Sequence, residues 1–385
     1  MAKKVLGVAV VGIGGAVGTT MAAGVELLRQ GIIDLTGLPL AGLKTEGLAD
    51  YTDIVFAGWD LFPDHLAKAA EDHDVLTHKQ FVAAEEALRQ IKPWPAVGDP
   101  RFLSLIDGDN KIGDTGHRAV IERLKNDLQA FRDTCDSVVV INLASTEKLA
   151  SEGNEIFNSL ASLEQALDEN SPDISPAMLY AYAAIAEGVP YGNFTPSVAA
   201  DIPALIEFAE KQGVPIAGKD GKTGQTFIKS VIAPALRSRA LKVDGWFSTN
   251  ILGNRDGLAL SNAESLASKV KTKSSLLDDI LGYEVEDHIV DIRYYRPRGD
   301  NKEAWDNIDV RGFLGQPMQL KVNFLCKDSI LAAPLAIEIA RCLDLSNQRG
   351  SKGIQEQLSV FFKMPMGKTE QAFHKQEEAL LEWLG

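Results

Sequence analysis

Leu6 to Val11 is an unbroken apolar run stopped by glycines, the form taken in sequence by a strand buried on both faces of a parallel sheet. Thr19 to Gln30 then carries helical spacing, so the chain opens as strand, Gly-rich turn, helix. Asp53 to Ala57, Ser137 to Leu143 and Val214 to Ala217 repeat the buried-strand pattern, with helical stretches at Gly116 to Arg132 and Ser175 to Glu187 between them. This alternation predicts a doubly wound α/β domain over about the first 220 residues. The pattern changes after Thr226. Lys242 to Ile251, Asp287 to Tyr295 and Met318 to Cys326 read as longer, half-buried strands. In the last, Leu320, Val322, Phe324 and Cys326 alternate with Gln319, Lys321, Asn323 and Leu325, so one face is core and the other open to a substrate or another subunit. A helix from Ser329 to Leu343 returns the chain to the first domain. The tail from Lys363 to Gly385 is charged and amphipathic, with Phe373, Leu380, Leu381 and Leu384 as its apolar stripe.

Length and composition narrow the class. The 385 residues fit two domains or one with a large insertion, and 45% hydrophobic with 24% charged residues is the balance of a folded globular chain. Lys and Arg total 39 against 53 Asp and Glu, a net charge of −14, which argues against nucleic acid or an anionic membrane as partner. An anionic ligand must therefore be held by a local cationic pocket. Cys135, Cys326 and Cys342 are odd in number and far apart, which excludes a disulfide framework or a CxxC pair and points to a reducing, cytoplasmic setting. No stretch approaches the roughly 20 apolar residues of a membrane span.

The first chemical motif is Gly12-Ile13-Gly14-Gly15-Ala16-Val17-Gly18, between the first strand and its helix. Glycines there allow a tight turn and close approach of a pyrophosphate to the free N–H groups of the helix N-terminus, although such turns also serve simple packing. Asp60, in Gly58-Trp59-Asp60, offers a carboxylate to a ribose or caps a helix. In Asp220-Gly221-Lys222-Thr223-Gly224-Gln225-Thr226, a hydroxyl, a glycine N–H and an amide side chain could converge on a phosphate, or the segment is surface punctuation. Lys269 and Lys273, four apart, would share one face of a helix, where two ammonium groups in a desolvated pocket depress each other's pKa toward acid/base use; alternatively they would line a solvated face. His73 and His78 lie in an acidic, helix-like stretch that reads as solvated surface rather than metal site.

The segments GIGGAVGTT (12–20), GWD (58–60), GQTFIKS (224–230), NILGNRDG (250–257), SKVKTKSS (268–275), GDNK (299–302) and CKDSILAAP (326–334) stand in the order found in the myo-inositol-1-phosphate synthases, and the chain resembles that family over nearly its whole length. The resemblance implies a discontinuous Rossmann-like NAD-binding domain, residues 1–226 and 330–385, with an inserted α+β catalytic and tetramerisation domain at 227–329. It implies NAD as cofactor, a hexose phosphate as substrate and a homotetramer. The family's reaction is redox-neutral: C5 of open-chain glucose 6-phosphate is oxidised, the acidified C6 gives an enolate that attacks the C1 aldehyde, and the ring ketone is reduced again.

By the same resemblance Lys269 would handle the C5 hydroxyl proton, and Lys273 and Lys302 would stabilise oxyanions and contact the phosphate. Lys375 would match the family's C-terminal lysine. Thr223, Gly224 and Gln225 would cradle the phosphate, with Leu252 and Asn254 beside the sugar. Asp220, Asp256 and Asp328 would orient lysines and the nicotinamide end, next to Asn250, Asn254, Arg255, Gly299, Asp300 and Ser329. Gly12, Gly14, Gly15, Ala16, Val17, Asp60, Ala144, Ser145 and Thr146 would line the rest of the NAD site. Some relatives use a mono- or divalent cation near cofactor and phosphate, which the sequence leaves open. Three departures stand out: Ala16-Val17 replaces a pair of asparagines, Arg255 an asparagine and Lys327 an acidic residue. The extra positive charges keep in view a cyclase that closes a five-membered carbocycle from fructose 6-phosphate; a non-catalytic NAD-binding regulatory homologue is a separate alternative, disfavoured by the presence of all four candidate lysines and the aspartates.

Overall fold

Every residue of Leu6–Val11 (β1) is buried, as an apolar strand in the middle of a sheet must be. The computed structural model describes residues 4–103, 106–148, 153–253, 276–367 and 370–385. After β1 come α1 (Ala16–Arg29), β2 (Ile54–Asp60), α2 (Leu66–His73), α3 (His78–Arg89), β3 (Trp94–Pro95), α4 (His117–Arg132) and β4 (Ser137–Asn142). α5 (Leu160–Asp168), α6 (Pro176–Ala186), β5 (Tyr191–Asn193), α7 (Pro203–Gln212) and β6 (Pro215–Gly218) follow. The large sheet, completed by β11 (Gly353–Ile354), has the order β11-β6-β5-β4-β1-β2-β3, and its pairings are parallel. Side chains alternate across it. Leu6, Val8 and Val10 join α1 in one core, while Ala9 and Val11 join α4 and α6 in the other. Register pairs Val11 with both Trp59 and Asn142, so β1, β2 and β4 end side by side. Ligands bind beyond such aligned carboxyl ends, where the chain leaves to both sides of a central strand.

α8 (Gln225–Ser238) leads into a second sheet of β7 (Lys242–Leu252), β8 (Asp287–Tyr294), β9 (Asn301–Arg311) and β10 (Pro317–Lys327), in the order β10-β9-β7-β8. Ala233 and Leu236 of α8 pack with Trp246, Leu277, Ile280 and Ile308 under one face. The other face leaves Phe247, Ile289 and Leu325 exposed. Among the strands that the hydrophobic pattern did not reveal, β9 is the longest. Its inner face runs Ala304, Asp306, Ile308, Val310, and the carboxylate breaks the alternation. Asp306 is nonetheless buried because Trp246 Nε1 (2.7 Å), Ser248 Oγ (2.6 Å) and Gln225 Nε2 (3.1 Å) all donate to it. β3, β5 and β11, of two or three residues, are too short to show a period.

α9 (Asp328–Gln348) returns beneath the large sheet and packs on α1, running five residues past the predicted Leu343. α10 (Phe373–Leu384) ends the chain. Its predicted stripe needs one correction: Leu380 and Leu384 are buried and Phe373 half-buried, but Leu381 is 43% exposed. Trp383 packs beside Leu380 and Leu384 instead.

Candidate functional site

A cleft opens across the aligned ends of β1, β2 and β4 and continues to the end of the second sheet. Its first half is built from the glycine loop. Gly12 takes φ +83° and a Cβ there would lie 3.0 Å from Ala144 Cα, so the loop lies directly on the chain leaving β4. A Cβ on Gly18 would come within 2.5 Å of Ile13 O, which fixes how closely α1 can follow the turn. The first turn of α1 carries no acidic residue, and its N-cap Gly15 offers no capping side chain. Helix N-termini leave their first N–H groups without intrahelical partners, and here these belong to a turn that lines the cleft through Ala16, Val17 and Gly18. The uncapped N-terminus and the glycine loop, whose one side chain, Ile13, is buried in the core, fit a dinucleotide pyrophosphate.

Asp60, at the end of β2, accepts the Gly14 N–H at 2.8 Å and the Phe62 N–H at 3.1 Å. It thus ties the glycine loop to β2, a role beyond the expected ribose contact or helix cap. Ala144, Ser145 and Thr146 line the same half. His73 lines it too, with Nε2 2.9 Å from Gly14 O, so the expectation of a solvated surface fails for this residue. Its side chain reaches inward from the last residue of α2. Glu147 is buried in the same lining, accepts the Ala177 N–H at 2.9 Å, and has its carboxyl pushed up to about 7 by burial.

The second half holds paired charges. Residues 218–222 run antiparallel to 361–366: Lys363 N–H donates to Asp220 O at 2.6 Å and Lys222 N–H to Phe361 O at 2.8 Å. That short ladder sets Lys363 Nζ 2.7 Å from Asp220 Oδ1. The ends of β9 and β10 do the same for Lys302 Nζ and Asp328 Oδ1 at 3.2 Å. Ser329 donates its N–H to Asp300 Oδ2 (3.1 Å) and its hydroxyl to Asp300 Oδ1 (2.9 Å). Asp220, Thr223, Lys302, Asp328, Ser329 and Lys363 all line the cleft. Each cation keeps a carboxylate partner, an arrangement suited to passing a proton and to meeting developing negative charge. Lys363 escaped the sequence reading. Its signal was faint: one lysine closing the apolar run Val360-Phe361-Phe362.

Several predicted residues take other places. Lys375 lies on the exposed side of α10 with its Nζ 2.9 Å from Glu370 Oε2, outside the cleft lining. The Gln225 side chain turns inward, giving Nε2 to Asp306 and taking a hydrogen bond from Asn250 Nδ2 at Oε1. It therefore supports the 220–226 turn from below, leaving Asp220, Gly221 and Thr223 as the residues of that turn that line the cleft. Leu252 and Asn250 are buried in β7 and Gly299 lies in the turn before β9; none of the three is in the cleft lining. Lys327 donates to Asp74 O (3.0 Å) and Val75 O (2.6 Å), so its charge caps the turn after α2 and lies outside the cleft lining. Asn254, Arg255, Asp256, Lys269 and Lys273 lie outside the described residues. Among the described residues no group of three or more His, Cys, Asp or Glu could hold a metal ion, and no helix is long and apolar enough to cross a membrane.

Two lysines beneath the site are depressed by burial, Lys222 and Lys229, each to about 7. Lys222 donates to Gln376 Oε1 of α10, and Lys229 Nζ lies 2.6 Å from His288 Nε2. The folded state disfavours their protonated form, so the unfolded chain binds more protons between about pH 7 and the ordinary lysine value near 10.4. Stability contributed at these positions should rise with pH across that window. Lys229→Met is expected to weaken this rise, as read from urea unfolding at pH 7 and pH 9; an unaltered pH dependence would refute it.

The chain matches a family model described as myo-inositol-1-phosphate synthase over residues 44–385. It is 43% identical to inositol-3-phosphate synthase 1 of Bacteroides thetaiotaomicron, across 98% of this chain and 93% of that one. It is 31% identical to inositol-3-phosphate synthase 1 of Oryza sativa subsp. japonica, across 89% and 75%. Among solved structures, inositol-3-phosphate synthase of Caenorhabditis elegans superposes with a TM-score of 0.91 at 25% identity, covering all of this chain and 86% of the other. A myo-inositol-1-phosphate synthase-related protein of Thermotoga maritima gives 0.84 at 25% identity, covering 99% and 98%.

Proposed function

The chain belongs to the myo-inositol-1-phosphate synthase family, and from that premise we propose that its cleft converts D-glucose 6-phosphate to 1D-myo-inositol 3-phosphate with NAD as cofactor. One observation carries the reading: the uncapped glycine loop and the pairs Lys363–Asp220 and Lys302–Asp328 line a single cleft. Bound NAD supplies a hydride acceptor that later gives the hydride back, so the overall reaction is redox-neutral. The protein's own part is binding, proton handling and charge stabilisation. Thr223 and the first turn of α8, which has no acidic residue and no capping side chain, receive the phosphate. Lys363 with Asp220 takes and returns the hydroxyl proton at the carbon being oxidised. Lys302 with Asp328 meets the oxyanion that develops as the ring closes. Lys269 and Lys273 join them in this reading, on the strength of the sequence resemblance.

The same reading makes residues 227–329 the inserted domain and the open face of the second sheet, with Phe247, Ile289 and Leu325 exposed, the contact of a homotetramer in the cytoplasm. A cation at the phosphate belongs to the reading as an option of the family. Lys327, bound to backbone carbonyls of the turn after α2, gives no support to an altered carbonyl site for fructose 6-phosphate.

Incubated with glucose 6-phosphate and a catalytic amount of NAD, the protein is expected to yield a six-membered inositol phosphate by NMR, with no build-up of absorbance at the wavelength of NADH. Stoichiometric NADH would make it an ordinary dehydrogenase, and turnover of fructose 6-phosphate alone would change the substrate.

A further inference from the structure

We propose that His73 and Lys327 are positioning residues for the glycine loop, acting together as a strut between the cofactor half of the cleft and the end of the second sheet. This rests on the cofactor reading above. The central residue of the loop, Gly14, is held at both polar ends by side chains: its N–H by Asp60 Oδ2 at 2.8 Å and its carbonyl by His73 Nε2 at 2.9 Å. A carbonyl oxygen can only accept, so Nε2 carries the proton. The loop needs such fixing. Ala16 and Val17 bring no polar side chain, and α1 has no side-chain cap, so an anion in the cleft depends on peptide N–H groups whose direction follows the Gly14 peptide.

His73 is itself held. It is the last residue of α2, the next residue Asp74 turns the chain left-handed at φ 51°, and the carbonyls of Asp74 and Val75 both accept from Lys327 Nζ. Lys327 ends β10, and the following residue is Asp328, the partner of Lys302. One path of hydrogen bonds therefore runs from the Lys302–Asp328 pair's strand through the turn after α2 to Gly14, across two elements that share no sheet.

The test is NAD binding to the full chain without sugar phosphate, by isothermal titration calorimetry. His73→Phe keeps a ring and removes the donor; Lys327→Met keeps the stem and removes the charge. Each should raise the Kd for NAD about five- to tenfold, the effect of one hydrogen bond worth about 1 to 1.4 kcal/mol, and His73→Gln and Lys327→Arg should return it toward wild type. With saturating NAD, kcat of His73→Phe should recover, so the defect reads as KM for NAD. Far-UV circular dichroism checks folding, and if His73→Phe does not fold, a Kd for His73→Ala within twofold of wild type overturns the inference. Equal affinity in wild type, His73→Phe and Lys327→Met also overturns it while leaving the cyclase reading intact. A wild-type chain that binds no NAD overturns the cofactor reading and this inference with it.

Discussion

Lys363→Met is expected to lower kcat by about a thousandfold, about 4 kcal/mol of barrier, while the Kd for NAD stays near that of the wild type. Lys363 Nζ stands 2.7 Å from Asp220 Oδ1 inside the cleft, and Asp220 is only 5% exposed. Removing the ammonium takes away a proton-transfer partner from the reacting end and does not touch the glycine loop. It also leaves a buried carboxylate without its cation, which by itself destabilises a fold. The two consequences can be separated. Adding Asp220→Asn to Lys363→Met removes the stranded charge, so stability to urea should return in the double variant while turnover stays lost. Retention of more than a tenth of kcat by Lys363→Met, a change of under about 1.4 kcal/mol, would show that this lysine serves the fold alone and that the acid/base work lies elsewhere.

Gly58→Ala should cost about 3 kcal/mol of stability or more, within the range reached when buried backbone must move apart. A Cβ at this position would stand 2.0 Å from Val10 O and 2.7 Å from Val10 N, the backbone of the adjacent strand. β1 and β2 pair Val10 with Gly58 in register, one residue before Val11 and Trp59, the last pair of the two strands, beside the cleft. No side chain can swing aside to admit the methyl group, because the obstacle is main chain in the centre of a sheet. The strands must separate or slip, and either displaces Asp60 from Gly14. Thermal unfolding monitored by circular dichroism should show the loss, with weaker NAD binding at temperatures where the variant is still folded. A melting temperature equal to wild type would mean that the two strands are further apart than the structure has them.

Much of this molecule was legible in its sequence. The apolar runs at 6–11 and 137–143 became β1 and β4 because a strand buried on both faces has little choice but to be apolar throughout. The glycine turn was readable because only residues without a side chain meet its close approaches, at Gly12 against Ala144 and at Gly18 against Ile13. The order of motifs carried the family and, with it, Lys302, Asp220, Asp328 and Thr223 as site residues, all of which line the cleft. The half-buried strands β7, β8 and β10 followed from alternation.

The failures share a cause. β9 was hidden because its buried Asp306 is tolerable only where Trp246, Ser248 and Gln225 come from two other elements to meet it. Gln225 looked like a phosphate ligand until that same contact turned its amide inward. Lys375 and Lys363 are both lysines near the C-terminus, and nothing local to either chooses between an exposed pair with Glu370 and a ladder that carries the ammonium to Asp220, 143 residues earlier. Lys327 resembled an active-site charge, and His73 a surface histidine, because the carbonyls that claim them belong to segments distant in sequence. Local pattern determined most of the elements and the turn that needs glycine, since each depends on residues within a few positions of one another, and the order of motifs along the chain carried the family. Which polar groups face the cleft was decided only by tertiary structure, because a hydrogen bond is directional and its partner's position is set by how strands and helices pack across hundreds of residues.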